Sequence, residues 1–160
     1  MVNSRKFSAD SALGWLNHYK RMLRWSDRAL EALERDDPDA LDFSLAFFVW
    51  CYSMRDWLKS EKQLGQEELT VFVQQNPYWG YCRDISLRAK HGEVTSPSKD
   101  SDYGLSRSYD PFHKWSKTEP AVWNVWIDGK KITLATMIRS LSDNWIEFIE
   151  TRFVHPSWSP

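Results

Sequence analysis

The segment PDALDFSLAFFVWCYSMRDWLKSEK, running from Pro38 to Lys62, decides the fold. At about 100° per residue, Leu41, Leu45, Phe48 and Tyr52 fall on one side of a helix, and Phe43, Phe47, Trp50 and Met54 on the other. A surface helix keeps a polar face, whereas a helix that is apolar all round is enclosed by protein. The segment therefore predicts the central helix of a bundle. Towards its end Arg55 and Asp56 arrive on the Leu45/Tyr52 side, and charges on an enclosed helix must be paired or used. They form the first candidate site.

Upstream, Asp36-Asp37-Pro38-Asp39 reads as a stop followed by a start. Asp37 suits an N-cap, Pro38 the first helical position and Asp39 the positive end of the helix dipole. Capping accounts for every acid in the cluster, so no metal is needed there. The preceding helix is expected from Ala9 to Arg35, with Leu13, Leu16, Leu23, Leu30 and Leu33 on its buried stripe. Asn17, Lys20, Asp27 and Arg28 supply its wet face.

Downstream, Gly65 interrupts the pattern, and Gln66–Gln75 is a short helix carrying Leu69, Phe72 and Val73. Asn76-Pro77 repeats the cap-plus-proline signal and opens a helix to His91, closed by Gly92. Its apolar stripe is Tyr78, Cys82, Ile85 and Ala89. Asp84, Arg88 and His91 border one side, and Arg83 and Lys90 the other. Residues 92–118 are rich in serine and turn formers and read as a long loop, with a poor strand where Tyr103, Leu105, Arg107 and Tyr109 alternate. Val122–Ile127, the turn dipeptide Asp128-Gly129 and Lys130–Thr133 then form a β-hairpin over 122–133. Thr133 caps a last helix that buries Leu134, Met137, Leu141, Trp145 and Phe148. The expected fold is mainly α, a helical bundle of four to five helices with one β-hairpin inserted before the last helix, and residues 1–160 make a single domain.

Composition narrows the function classes. Lys plus Arg number 21 against 22 Asp plus Glu, for a net charge of -1, so no global field draws the chain to nucleic acid or a membrane. The longest apolar run, from Leu45 to Cys51, is too short to span a bilayer, and MVNSRKFSAD lacks the apolar core of a signal peptide. Cys51 and Cys82 sit in apolar stretches and read as reduced core residues, so a cytoplasmic protein is expected. The ten tryptophans follow no repeat and read chiefly as core bulk. Lys20, Arg21, Arg24 and Arg28 around Trp25 could meet RNA, but Asp27 and Glu31 interrupt them, and a solvated helix face fits better.

No glycine-rich phosphate loop and no GxSxG nucleophile elbow occurs. The cysteines and His18, His91, His113 and His155 lack zinc-ligand spacing, and no metal or cofactor is expected. Cys82 lies on a core stripe, where a thiol is inert, which sets aside a Cys82–His91 nucleophile pair.

What remains is Arg83-Asp84-Ile85-Ser86-Leu87-Arg88-Ala89-Lys90-His91. An Arg–polar pair followed by His on a late helix of a small α-bundle resembles the HEPN superfamily. RDW at Arg55–Trp57, CRDI at Cys82–Ile85 and KHG at Lys90–Gly92 add to the resemblance. It implies a homodimer and, in the active members, a metal-independent ribonuclease of a toxin or defence system. On that resemblance Arg83, His91 and Asp84 are the catalytic residues: His91 takes the 2′-hydroxyl proton, Arg83 stabilises the phosphorane, and Asp84 orients a neighbour. The spacing from Arg83 to His91, with seven residues between, is longer than the family's motif.

The same residues also support a purely structural account. Arg55–Asp84 and Asp56–Arg83 bridges would lock two helices in register, Asp84–Arg88 is a favourable i,i+4 pair, and Lys90 and His91 suit the helix C-terminus. On this account the chain is a non-catalytic binding or regulatory protein whose hairpin, near Trp123 and Trp126, meets a protein partner.

Overall fold

The computed structural model describes residues 14–61, 64–91, 103–108, 122–127 and 129–153. Five helices and three strands occur among them. The helices are α1 (Trp15–Glu34), α2 (Ala40–Ser60), α3 (Gln66–Gln75), α4 (Trp79–His91) and α5 (Leu134–Phe153); the strands β1 (Tyr103–Ser108), β2 (Val122–Ile127) and β3 (Lys130–Thr133) precede α5. The mainly-α bundle with strands ahead of the last helix is therefore the observed architecture. Expectations that fall on Ala9–Leu13, Lys62, Gly92, Tyr109, Asp128, His113 and His155 lie outside the described residues.

Thr133 caps the last helix as expected. By contrast, α2 and α4 start at Ala40 and Trp79, each two residues after the proline expected to open it, and Asp39 stands at the α2 cap position with no side-chain cap bond. Asp37 Oδ1 accepts the Asp39 amide at 2.8 Å, and Asn76 Oδ1 accepts the Tyr78 amide at 2.9 Å. Thr133 Oγ1 accepts the Thr136 amide at 3.1 Å, three residues into α5. The end of α1 is also local. Asp36 adopts φ 52°, and the Asp37 amide reaches back to the Ala32 carbonyl at 2.9 Å, a Schellman closure with aspartate where glycine is usual.

The central helix is α2, which packs against α1, α4 and α5. Phe47, Phe48, Cys51, Met54 and Leu58 are wholly buried, and Leu41, Phe43, Leu45, Trp50 and Tyr52 pack half-buried around them. From α5, Leu134, Met137, Ile138, Leu141, Trp145 and Phe148 complete a contiguous core that Val125 and Ile127 of β2 also join. Asn76 ties the start of α4 to α5, donating from Nδ2 to Asn144 Oδ1 at 2.9 Å and to the Ser140 carbonyl at 3.2 Å.

In α1 the buried face departs from expectation. His18, Tyr19, Met22, Ser26, Ala29 and Ala32 face the core, while Leu16, Leu23, Leu30 and Leu33 are only half-buried at its flank. The reason lies across the interface. Rings of α2 meet α1 where Trp50 lies against His18 and Phe43 against Trp25, and small buried residues such as Ser26, Ala29 and Ala32 suit a close helix approach.

The hairpin is part of a larger unit. Tyr103–Ser108 pairs antiparallel with β2, giving a three-stranded sheet in the order β1-β2-β3, with Gly104 opposite Trp126 and Asn124 opposite Thr133. A two-stranded ribbon alone is marginal; the third strand and the burial of Val125 and Ile127 hold this one in place. Gly129, at φ 74°, takes the left-handed position that the turn demands.

Candidate functional site

The candidate catalytic residues lie along one helix, at different depths. Asp84 faces inward and is completely buried, at 0 % exposure, and Arg83 Nη1 holds its Oδ1 at 2.9 Å. The Arg83 side chain is 29 % exposed. Past Ser86 the helix leaves the core, so Arg88, Ala89, Lys90 and His91 are all exposed. Ala89 was expected on the apolar stripe but is exposed, at the mouth of a cavity that it lines with Leu45 and Leu105. Arg83 and His91 are thus brought onto one helix but not to one point: eight residues of helix separate them by about 12 Å along the axis and about 80° around it.

The bridges expected between helices do not form. Arg55 pairs with Asp56 at 3.4 Å, as Arg83 pairs with Asp84, each arginine taking the acid next to it in the chain. The cause is the direction in which the end of α2 faces. Arg55, Asp56 and Lys59 line a small cavity of about 90 Å³ with Gln66, Leu69 and Thr70 of α3, so these charges look towards α3 and not α4. Their side chains are 34 % and 60 % exposed, which makes their pair a surface contact of small worth. Arg55 also lies over the Tyr52 ring, 5.4 Å from its centroid.

The basic face of α1 is partly spent on aromatics. The Arg28 guanidinium sits 5.0 Å from the Trp25 centroid and that of Arg21 sits 5.6 Å from Trp50. On the sheet, Trp126 and Val122 are 44 % and 41 % exposed, while Asn124, between them on the same side of β2, is fully buried. The Trp126 indole donates to Ser106 Oγ at 2.6 Å, which fixes the ring across β1. Trp123 points the other way and joins Leu30, Leu33, Ala135 and Arg139 around a cavity of about 230 Å³.

One buried polar residue was not singled out by sequence reasoning. His18, 1 % exposed, lies between Trp50 and Trp57, with ring centroids 4.7 and 5.2 Å away. Its Nε2 is 2.8 Å from the Trp50 carbonyl and 3.2 Å from Ser53 Oγ. Contact with a carbonyl makes Nε2 the protonated nitrogen, which donates; Nδ1 is buried with no hydrogen-bond partner. Burial pushes the imidazole from 6.5 down to about 4, and the positive charges of Arg21 and Lys90 act in the same direction against the Trp50 hydrogen bond and Asp56. His18 is therefore a neutral structural donor at pH 7. The signal that could have found it is spacing: His18, Met22 and Ala29 fall at i, i+4 and i+11, a face the leucine stripe obscured.

Cys51 and Cys82 are free, fully buried and in contact. Burial pushes the Cys82 thiol well above its ordinary value and the neighbouring Cys51 reinforces the shift, so Cys82 does not serve as a nucleophile at neutral pH. Among the described residues no group of His, Cys, Asp and Glu could hold a metal ion, and no helix is long and apolar enough to cross a membrane. Set against protein-family models, curated proteins and solved structures, the chain matches none.

Proposed function

We propose that this chain is a non-catalytic helical binding protein of HEPN-like type, acting in the cytoplasm through a protein partner, with the Arg83–Asp84 pair as part of its frame. The observation that carries this is the state of Asp84. A carboxylate at 0 % exposure needs its counter-charge, and the guanidinium that would stabilise a phosphorane is the one 2.9 Å from it. Drawing Arg83 onto a phosphate would take that counter-charge away from a buried carboxylate. The reduced, buried thiols suit a reducing compartment. The partner surface centres on Trp126, which is 44 % exposed on the sheet.

A ribonuclease is the second reading, and the exposure of His91 beside Arg88 and Lys90 favours it. In a symmetric dimer, His91 of one copy would take the 2′-hydroxyl proton as the oxygen attacks phosphorus. The same residue of the second copy would protonate the leaving 5′-oxygen. The deciding experiment is incubation of a mixed-sequence RNA in excess EDTA with the wild-type chain and with His91→Ala. No cleavage by either is the expected result. Cleavage by the wild type that His91→Ala loses, with its circular dichroism unchanged, would overturn the binding-protein reading.

A further inference from the structure

Between α2, α4 and β1 the packing leaves a wedge. Leu45, Ile85, Arg88, Ala89, Gly104 and Leu105 enclose about 270 Å³ there. Ile85, 3 % exposed, belongs to the core beneath it, whereas Leu105 keeps 39 % of its surface exposed although it lies on the inner side of the sheet, opposite buried Val125. Among the described residues of this apolar lining, Arg88 is the one charged group. The sequence offers it Asp84 as an i,i+4 partner, but Arg83 holds that carboxylate, and Arg88 makes no ion pair or hydrogen bond among the described residues. Among its described residues, the wedge thus combines an apolar cavity with one uncommitted guanidinium.

We propose that this wedge binds a small amphipathic carboxylate, an alkyl or aryl acid whose apolar body lies against Leu45, Ile85 and Leu105 and whose carboxylate pairs with Arg88. Charge sets the head group. The planar guanidinium fork matches a carboxylate in two parallel hydrogen bonds. A phosphate monoester, at about -1.5 to -2, would leave charge unanswered beside an apolar wall. Volume sets the body: at roughly 30 Å³ per water-sized group, the cavity takes about nine such groups, close to the ten non-hydrogen atoms of an eight-carbon acid whose head group reaches its mouth. Neither His91 nor Arg83 takes part, so the site is independent of whether the chain cleaves RNA.

The test is an amide-resolved NMR titration of the full chain with sodium octanoate, using 1-octanol and octylammonium chloride as uncharged and inverted-charge probes. Octanoate is expected to shift amides around Leu45, Ile85 to Ala89 and Gly104–Leu105, with octanol weaker and octylammonium weakest. Arg88→Gln should weaken octanoate by about 5- to 10-fold, the worth of a charge-assisted pair that water partly screens, and leave octanol unchanged. Arg88→Lys should keep part of the affinity. Leu105→Glu, which sets a competing carboxylate at the wedge, should abolish octanoate binding while the spectrum stays dispersed. Saturation absent below about 10 mM, shifts centred elsewhere, or equal affinity of octanoate for wild type and Arg88→Gln would each overturn the proposal.

Discussion

Replacing Arg83 by alanine separates the structural role of its pair from a catalytic one. The substitution leaves the Asp84 carboxylate at 0 % exposure without the guanidinium now 2.9 Å away. Stripping one partner from a fully buried pair costs about 3–5 kcal/mol. Here the arginine side chain is 29 % exposed, so water can reach the arginine side of the gap and the expected loss is nearer 2–3 kcal/mol. For a chain of this size that is a fall of roughly 5–10 °C in melting temperature. Asp84→Asn should cost less, about 1 kcal/mol, because the group left behind is an arginine that can swing into solvent. The assay is urea unfolding of the two single variants and the double variant. A coupling energy above about 1 kcal/mol would mark the pair as one structural unit. An Arg83→Ala protein within about 0.5 kcal/mol of wild type would refute the reasoning and return Arg83 to the list of groups kept for chemistry.

Three further predictions follow from the packing. His18 has a folded pKa of about 4 against an ordinary 6.5, so the unfolded chain takes up the proton first as pH falls; its contribution is intact above 6.5 and is lost on the way down to about 4. The loss totals roughly 3 kcal/mol, and a stability difference between wild type and His18→Gln that stays constant over that pH interval would contradict it. Ser86 is 0 % exposed and its hydroxyl has no hydrogen-bond partner, so Ser86→Ala should stabilise the chain by about 0.5–1.5 kcal/mol in urea unfolding, and a loss would show that the hydroxyl is satisfied. If the resemblance to homodimeric proteins holds and the partner surface is the sheet, sedimentation velocity should show a wild-type dimer that Trp126→Lys converts to monomer. A wild-type monomer removes the homodimer, and a dimer in both proteins moves the interface off the sheet.

The features legible in the sequence are those made by residues close to one another in the chain. Asp37, Asn76 and Thr133 each bond an amide two or three residues on, so the helix starts could be read to within two residues. The hairpin at Val122–Ile127 and Lys130–Thr133 is equally local, and the all-round apolarity of α2 announces a central helix before any partner is known. Neighbours distant in sequence decided the rest. Which stripe of α1 is buried depended on its neighbours: Trp50 and Trp57 of α2 enclose His18, and Ala29 is buried while the leucines stay half-buried. The alternation at Tyr103, Leu105 and Arg107 already suggests a strand, but its pairing with β2 depended on the free edge β2 offers. The Arg/Asp segment shows the division most clearly: the sequence put complementary charges on α2 and α4, but the rotation of α2 turned Arg55 and Asp56 towards α3. Asp84 was left to Arg83, and Arg88 was left open. A helix period specifies relative angles around one axis, whereas the azimuth of that axis against its neighbours comes from packing the whole core at once.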